Sequence, residues 1–283
     1  KTFRERPIII NNYIETIKNL SKAGIKVICY NFMPVFDWLR TDLEKELEDG
    51  SRVMAYDQSI IDKTDPVEIV KKYEKGSRGF SLPGWDPERL EELQSLIKQY
   101  EEISQDDLFN NLQYFLQKII PVCEQENIKM AIHPADPPWP VFGIPRISTG
   151  KKNLNKIINL VDSKYNGLTL CSGSLGSSSD NSIPDLIRYF GEKERLHFVH
   201  VRNLKIDEAG KFYESSHLSD EGSLDIYEIM KALYDIDFTG YVRPDHGRMI
   251  WGEKARPGYG LYDRALGATY LNGLWEAINK SSN

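Results

Sequence analysis

The chain has 283 residues, a formal net charge of −6 and a pI near 5.5, with 40% hydrophobic and 28% charged residues. That composition excludes the disordered and fibrous classes, and the acidic balance provides no field for nucleic-acid phosphates. No run approaches the roughly 20 apolar residues of a membrane span, and Cys29, Cys123 and Cys171 lack the spacing of a disulfide framework. With no leader-like segment at its start, the expected location is cytoplasmic, and neither nucleic acid nor membrane is an expected partner.

In chain order, Tyr13, Ile14, Ile17 and Leu20 recur at helical spacing, so a helix is predicted from Asn11 to Ala23 with Gly24 as its stop. The run from Ile25 to Phe32 is β-branched and aromatic, as expected of a strand buried on both faces. Residues 34–105 are too many for a βα loop. This segment holds Trp38, Trp85, the turn Phe80-Ser81-Leu82-Pro83-Gly84-Trp85 and a helix bearing Leu90, Leu93 and Ile97. It is expected to form a helical insertion near the mouth of the fold or at a subunit contact.

A second helix, from Asp106 to Gln125 with a kink expected at Pro121, precedes the strand Lys129 to His133. A third, carrying Leu154, Ile157, Ile158 and Val161, precedes Leu168 to Cys171. Pro184, behind Ser182, opens a helix that ends near Gly191 and leads to His197–Val201. Ser223 is the expected cap of a helix leading to Gly240–Asp245, and a closing helix runs from Asp263 towards Ala277. Five strands alternating with helices imply a parallel sheet with right-handed crossovers. No Gly-rich phosphate loop follows any strand, which favours a TIM (β/α)8 barrel over a nucleotide-binding sheet. The first three strands are then expected upstream of Lys1, with residues 1–283 forming a single catalytic domain.

The potential ligands fall at strand ends: His133, Cys171, His200 and Asp245, on four successive strands. Chemistry in barrels gathers at the carboxyl ends of strands, so neighbouring strands can bring these four groups to one point. Two imidazoles, one thiolate and one carboxylate suit a divalent transition metal, and the thiolate by itself favours Zn or Fe. His246 places a titratable imidazole beside Asp245, either for general acid/base work or to orient that carboxylate. Arg243 has the same side-chain direction as Asp245; it can bind a substrate carboxylate or sit in an ion pair between strands. Tyr259, between two glycines, is a proton-transfer candidate or a lid aromatic. His197, near the start of its strand, reads as structural. His217, in a polar loop, could approach substrate, and the Asp136-Pro137-Pro138-Trp139 loop should shape the wall of the site.

Five motifs then carry a resemblance: Lys129–Pro134 with Asp136–Trp139, Leu170–Gly176, Phe198–Asn203, Arg243–Arg248 and Pro257–Arg264. Together they resemble the mannonate dehydratase family of hexuronate catabolism, over nearly the whole chain. The resemblance implies a TIM barrel related to the xylose isomerase group, with Mn²⁺ or Fe²⁺ bound by His133, Cys171, His200 and Asp245. It also implies substrate and catalytic positions at Arg243, His246 and Tyr259, and dehydration of D-mannonate to 2-keto-3-deoxy-D-gluconate by a homodimer. The competing readings are a metal-dependent sugar isomerase of the same group, which loses no water, and a noncatalytic sugar-acid binding protein.

Overall fold

The computed structural model describes residues 6–76, 93–100 and 102–282; the predicted Phe80–Trp85 turn and Leu90 lie outside them. Helix α1 (Arg6–Lys22) ends before Gly24, whose φ of +82° is the left-handed conformation glycine adopts without steric cost. The chain turns there into β1 (Val27–Tyr30). The other parallel strands are Lys129–Ile132, Asn166–Cys171, Leu196–Val201 and Tyr241–Pro244. Each overlaps a run predicted as a strand, with Asn166–Cys171 and Leu196–Val201 starting earlier than expected, and each pairs in parallel with its neighbour in chain order. Cys29, on one edge strand, and Arg243, on the other, line the same cavity, so the sheet is curled into a half-barrel.

Between β1 and the next parallel strand lie β2 (Asp42–Glu46), β3 (Arg52–Asp57), α2 (Gln58–Ile61), α3 (Pro66–Gly76), α4 (Leu93–Tyr100) and α5 (Gln105–Glu126). Helix α5 begins at a capping box: the Ser104 hydroxyl accepts from the Asp107 N–H, and the Asp107 carboxylate accepts from the Ser104 N–H. It continues through Pro121 to a left-handed Asn127, and its Leu108, Leu112, Leu116, Ile119 and Cys123 enter the main core. The parallel strands continue as β4 (Lys129–Ile132), β5 (Asn166–Cys171) and β6 (Leu196–Val201). Between them lie α6 (Lys151–Leu160), α7 (Ser172–Gly176) and α8 (Ile183–Gly191). After β6 come β7 (Leu204–Glu208), β8 (Lys211–Glu214), α9 (Ile226–Asp235), β9 (Tyr241–Pro244) and α10 (Leu261–Ser281).

The insertion is not purely helical, as the sequence suggested. Strands β2 and β3 pair with β8 and β7 in an antiparallel sheet of order β2-β3-β8-β7, built from segments 147 or more residues apart. The cause is tertiary. Asp42-Leu43-Glu44-Lys45-Glu46 and Leu204-Lys205-Ile206-Asp207-Glu208 carry few strand-forming residues, and a second hydrophobic core under the sheet supplies what local propensity lacks. That core includes Phe36, Leu39, Met54, Tyr56, Leu204 and Phe212. A second correction concerns α9. Its N-cap is Asp225, which accepts from the Glu228 N–H, while Ser223 Oγ accepts from the Ile206 N–H on β7.

At the opposite end of the sheet from the site, His197 is buried (2% exposed) in the structural role expected of it. A Cβ on Gly167 would come within 2.2 Å of its Nε2, so glycine there makes room for the ring. Burial, helped by Lys129, pushes the imidazole down from its ordinary 6.5 to about 4. Above pH 6.5 the ring is neutral in both folded and unfolded chains and stability is insensitive to it. As the pH falls from 6.5 to 4 the unfolded chain takes up a proton that the folded chain refuses, and stability drops by roughly 3 kcal/mol. Urea midpoints measured at pH 7 and pH 4.5 should show that loss. His197→Gln should shrink it, and an unchanged slope in the variant would put the acid sensitivity elsewhere.

Candidate metal centre and active site

β5 is buried along its whole length and ends at Cys171, where the backbone turns into α7. The Cys171 Sγ accepts from the Ser174 Oγ at 3.2 Å and faces the Ser174 N–H at 3.5 Å. Burial opposes ionisation of this thiol, but Arg202 and the imidazoles of His133 and His200 outweigh it and hold it well below its ordinary range. That shift favours the thiolate, the form that binds metals. His200 lies one residue before the end of β6, in register with Cys171 on β5. His133 follows β4 directly, its N–H still bonded to the Tyr30 carbonyl at 2.8 Å. One ligand atom from each of His133, Cys171 and His200 lies within 4.8 Å of the others.

Asp245 stands beside this trio, one residue past β9, its N–H held by the Val201 carbonyl at 3.0 Å. Its Oδ2 is 3.8 Å from the Cys171 Sγ and 3.7 Å from the His200 Nδ1. Although buried, it is held well below the usual carboxylate range by His246, His200, Arg202 and Arg243. The donor set fits a transition metal on two observations. The thiol is held well below its ordinary range, and neither ring nitrogen of the buried His200 has a hydrogen-bond partner among the described residues. Polar atoms so enclosed are costly unless something else satisfies them.

All four groups except Cys171 line a cavity of about 330 Å³, together with Arg243, His246 and Tyr259. Arg243 Nη2 is 3.1 Å from Asp245 Oδ1, yet the side chain remains 35% exposed and open to the cavity. The sequence left an ion pair and a substrate contact as alternatives, and the geometry allows both. The His246 and Tyr259 rings lie 5.3 Å apart, and the Arg256 guanidinium covers the tyrosine ring at 3.8 Å. Burial pushes the Tyr259 hydroxyl up to about 12, with Asp245 adding to the effect and Arg256 opposing it.

One expectation fails here and another holds only in part. His217 does not reach the cavity: it is buried, its Nε2 is 3.1 Å from the Val201 carbonyl, and it packs where a Cβ on Gly267 of α10 would stand. Trp139 turns away as well, into the second core, where its Nε1 donates to Gln58 Oε1 at 2.8 Å; of that loop, Asp136 lines the cavity.

Behind the site lies a network that sequence reasoning missed. Arg40 donates to both oxygens of Asp136 at 2.8 and 3.0 Å and to Glu214 Oε1 at 2.8 Å. Arg202 donates to Glu214 Oε2 at 2.7 Å and to Asp136 Oδ2 at 2.8 Å, and its Nε is 3.3 Å from Asp245 Oδ2. Both arginines and Glu214 are fully buried. Glu214 Oε1 is also 3.5 Å from His246 Nδ1, whose other ring nitrogen is 3.6 Å from Asp245 Oδ2. The imidazole thus sits between two carboxylates. Gly173 is required for close approach, since a Cβ there would stand 2.4 Å from the Arg202 guanidinium carbon. Arg202 stood inside a motif without an assigned role and Asp136 only in the loop expected to shape the wall, whereas Arg40 and Glu214 carried no local signal at all.

A family model described as D-mannonate dehydratase (UxuA) matches residues 2–283. The chain belongs to the D-mannonate dehydratase family. Among D-mannonate dehydratase relatives, the mannonate dehydratase of Thermotoga neapolitana is 59% identical over 271 residues, covering 96% of this chain and 75% of that protein. The Geobacillus thermodenitrificans mannonate dehydratase is 59% identical over 275 residues, covering 97% and 74%. The crystal structure of mannonate dehydratase from Streptococcus suis serotype 2 superposes with a TM-score of 0.87 at 43% identity, over 98% of this chain and 74% of that one. This is a family of hydro-lyases, and the recognition made from the motifs stands.

Proposed function

We propose that this chain removes water from D-mannonate to give 2-keto-3-deoxy-D-gluconate, with one Mn²⁺ or Fe²⁺ held by His133, Cys171, His200 and Asp245. The observation that carries the reading is the meeting of this donor set, all but Cys171 lining one cavity, with the His246–Tyr259 pair. The C2 proton of a sugar acid is weakly acidic because the adjacent carboxylate is already negative. A divalent cation bound to these ligands supplies Lewis-acid stabilisation of the charge that develops as that proton leaves.

The remaining work falls to side chains. Arg243, partly open to the cavity, meets the substrate carboxylate through charge-assisted hydrogen bonds. One of His246 and Tyr259 takes the C2 proton, and the other delivers a proton to the departing C3 hydroxyl, which leaves as water. His246 is buried and Tyr259 is half-buried beneath the Arg256 guanidinium, which restricts solvent access to those protons. We also read residues 1–283 as one catalytic domain of a TIM (β/α)8 barrel, acting in the cytoplasm as a homodimer on a small sugar acid.

The decisive experiment strips the protein of metal, restores Mn²⁺, Fe²⁺ or Zn²⁺ in turn, and follows the 2-keto-3-deoxy acid by the periodate–thiobarbiturate reaction. Product should appear with Mn²⁺ or Fe²⁺; no product with any cation would reject the dehydration. Cys171→Ser should bind metal at least about ten-fold more weakly, because a serine hydroxyl stays protonated where this thiol ionises. Elemental analysis of the purified variant reads this directly, and a full metal complement would remove Cys171 from the ligand set.

A further inference from the structure

Asp37 is a carboxylate in the wall of the active-site cavity for which the reaction above has no use. It lies in the segment that leaves β1, and its Oδ1 accepts a hydrogen bond from Asn31 Nδ2 at 2.9 Å. Asn31 lines the same cavity. Among the described residues no cation lies within ion-pair distance of Asp37, although the His133 imidazole and the Arg146 guanidinium favour its charged form against burial, and its Oδ2 has no hydrogen-bond donor. Oδ2 is not among the enclosed unpartnered atoms either, so it is open to the cavity. A carboxylate so placed accepts hydrogen bonds and donates none.

Its position gives that capacity a direction. β1 is one edge of the curled sheet and β9 the other, and β9 leads to Arg243, Asp245 and His246. A six-carbon acid held by its carboxylate at Arg243 and reacting at C2 and C3 therefore extends its remaining carbons towards the β1 side. We propose that Asp37, with Asn31, forms a hydroxyl-binding subsite for the polyol tail of the substrate, and that Asp37 determines specificity for a neutral tail. The inference rests on the dehydratase reading above. Hydroxyls at C4 to C6 donate to the free oxygen, which an acid lacking them leaves unpaired. A substrate with a second carboxylate at that end meets like charge instead and is rejected.

The test is a calorimetric titration of the Mn²⁺-loaded full chain with D-mannonate, with glycerate, which has the reacting carbons but no tail, and with D-mannarate, which ends in a second carboxylate. Product formation from D-mannonate is measured in parallel. Wild-type protein should bind D-mannonate most tightly. Asp37→Ala should weaken D-mannonate binding roughly ten-fold or more, leave glycerate within about two-fold, and retain its Mn²⁺. Asp37→Asn should lose less and should gain affinity for D-mannarate. Asn31→Ala, at an exposed position, should show the same pattern more weakly and serves if Asp37→Ala fails to fold.

Equal losses for D-mannonate and glycerate, or no loss for D-mannonate, would overturn the subsite. So would a wild-type protein that binds D-mannonate no better than glycerate. Absence of product with the binding contrast intact would overturn the proposed reaction and leave the subsite standing.

Discussion

Replacing His246 by Asn is expected to lower kcat for D-mannonate by at least about 100-fold while leaving the bound metal in place. General acid/base groups contribute about 10² to 10⁴-fold each, which sets the lower bound. Asn keeps much of the shape of the imidazole, and its amide can still donate towards Glu214 or Asp245, so the scaffold around the metal should persist. It cannot accept a proton at neutral pH. The informative comparison is kcat against metal content: near-normal kcat with full metal would exclude His246 from proton transfer, and loss of metal would make it a support for Asp245 instead. The 3.6 Å separation of His246 Nε2 from Asp245 Oδ2 is why both quantities must be measured.

The second large effect is expected at Glu214, a residue that no sequence motif singled out. Glu214→Ala would leave Arg40 and Arg202, both fully buried, short of one counter-charge. Removing one partner of a buried ionic network costs roughly 3–5 kcal/mol, because the remaining charges can be neither solvated nor neutralised. In a chain of this size that corresponds to a fall in Tm of about 10 °C. Glu214→Gln keeps an acceptor oxygen and should lose less. Thermal melts of the two variants beside wild type provide the check; a Glu214→Ala protein as stable as wild type would mean that water or a rearranged Asp136 satisfies the arginines.

These two residues mark the boundary of what could be read in advance. His246 was legible because it follows a strand of a repeating βα pattern, and the position of a residue at a strand end depends on local signals: alternation, β-branching and a glycine or proline stop. The same reasoning located His133, Cys171, His200 and Asp245, whose strands pair in parallel as expected. Glu214 was not legible. It ends a hairpin of mostly polar strands, and it reaches the site only because that hairpin pairs with residues 52–57. Arg40 is the same case from the other side: a charged residue in an insertion normally lies in water, and nothing nearby in sequence announces that Asp136 and Glu214 will surround it.

His217 shows the converse error. A histidine among serines and a leucine reads as exposed, yet α10 packs over it with glycine at the point of contact, and the ring is buried away from the cavity. Burial is a property of what lies across the fold from a residue.

The sequence by itself therefore determined the α/β rhythm, the strand-end residues and, through its motifs, membership of a dehydratase family. The tertiary structure alone decided the antiparallel sheet, the buried arginine–carboxylate network and the side of the cavity on which Asp37 stands. The physical reason is range. Strand and helix signals are written within a few residues of where they act, whereas burying a charge needs counter-charges that only chain segments distant in sequence can bring.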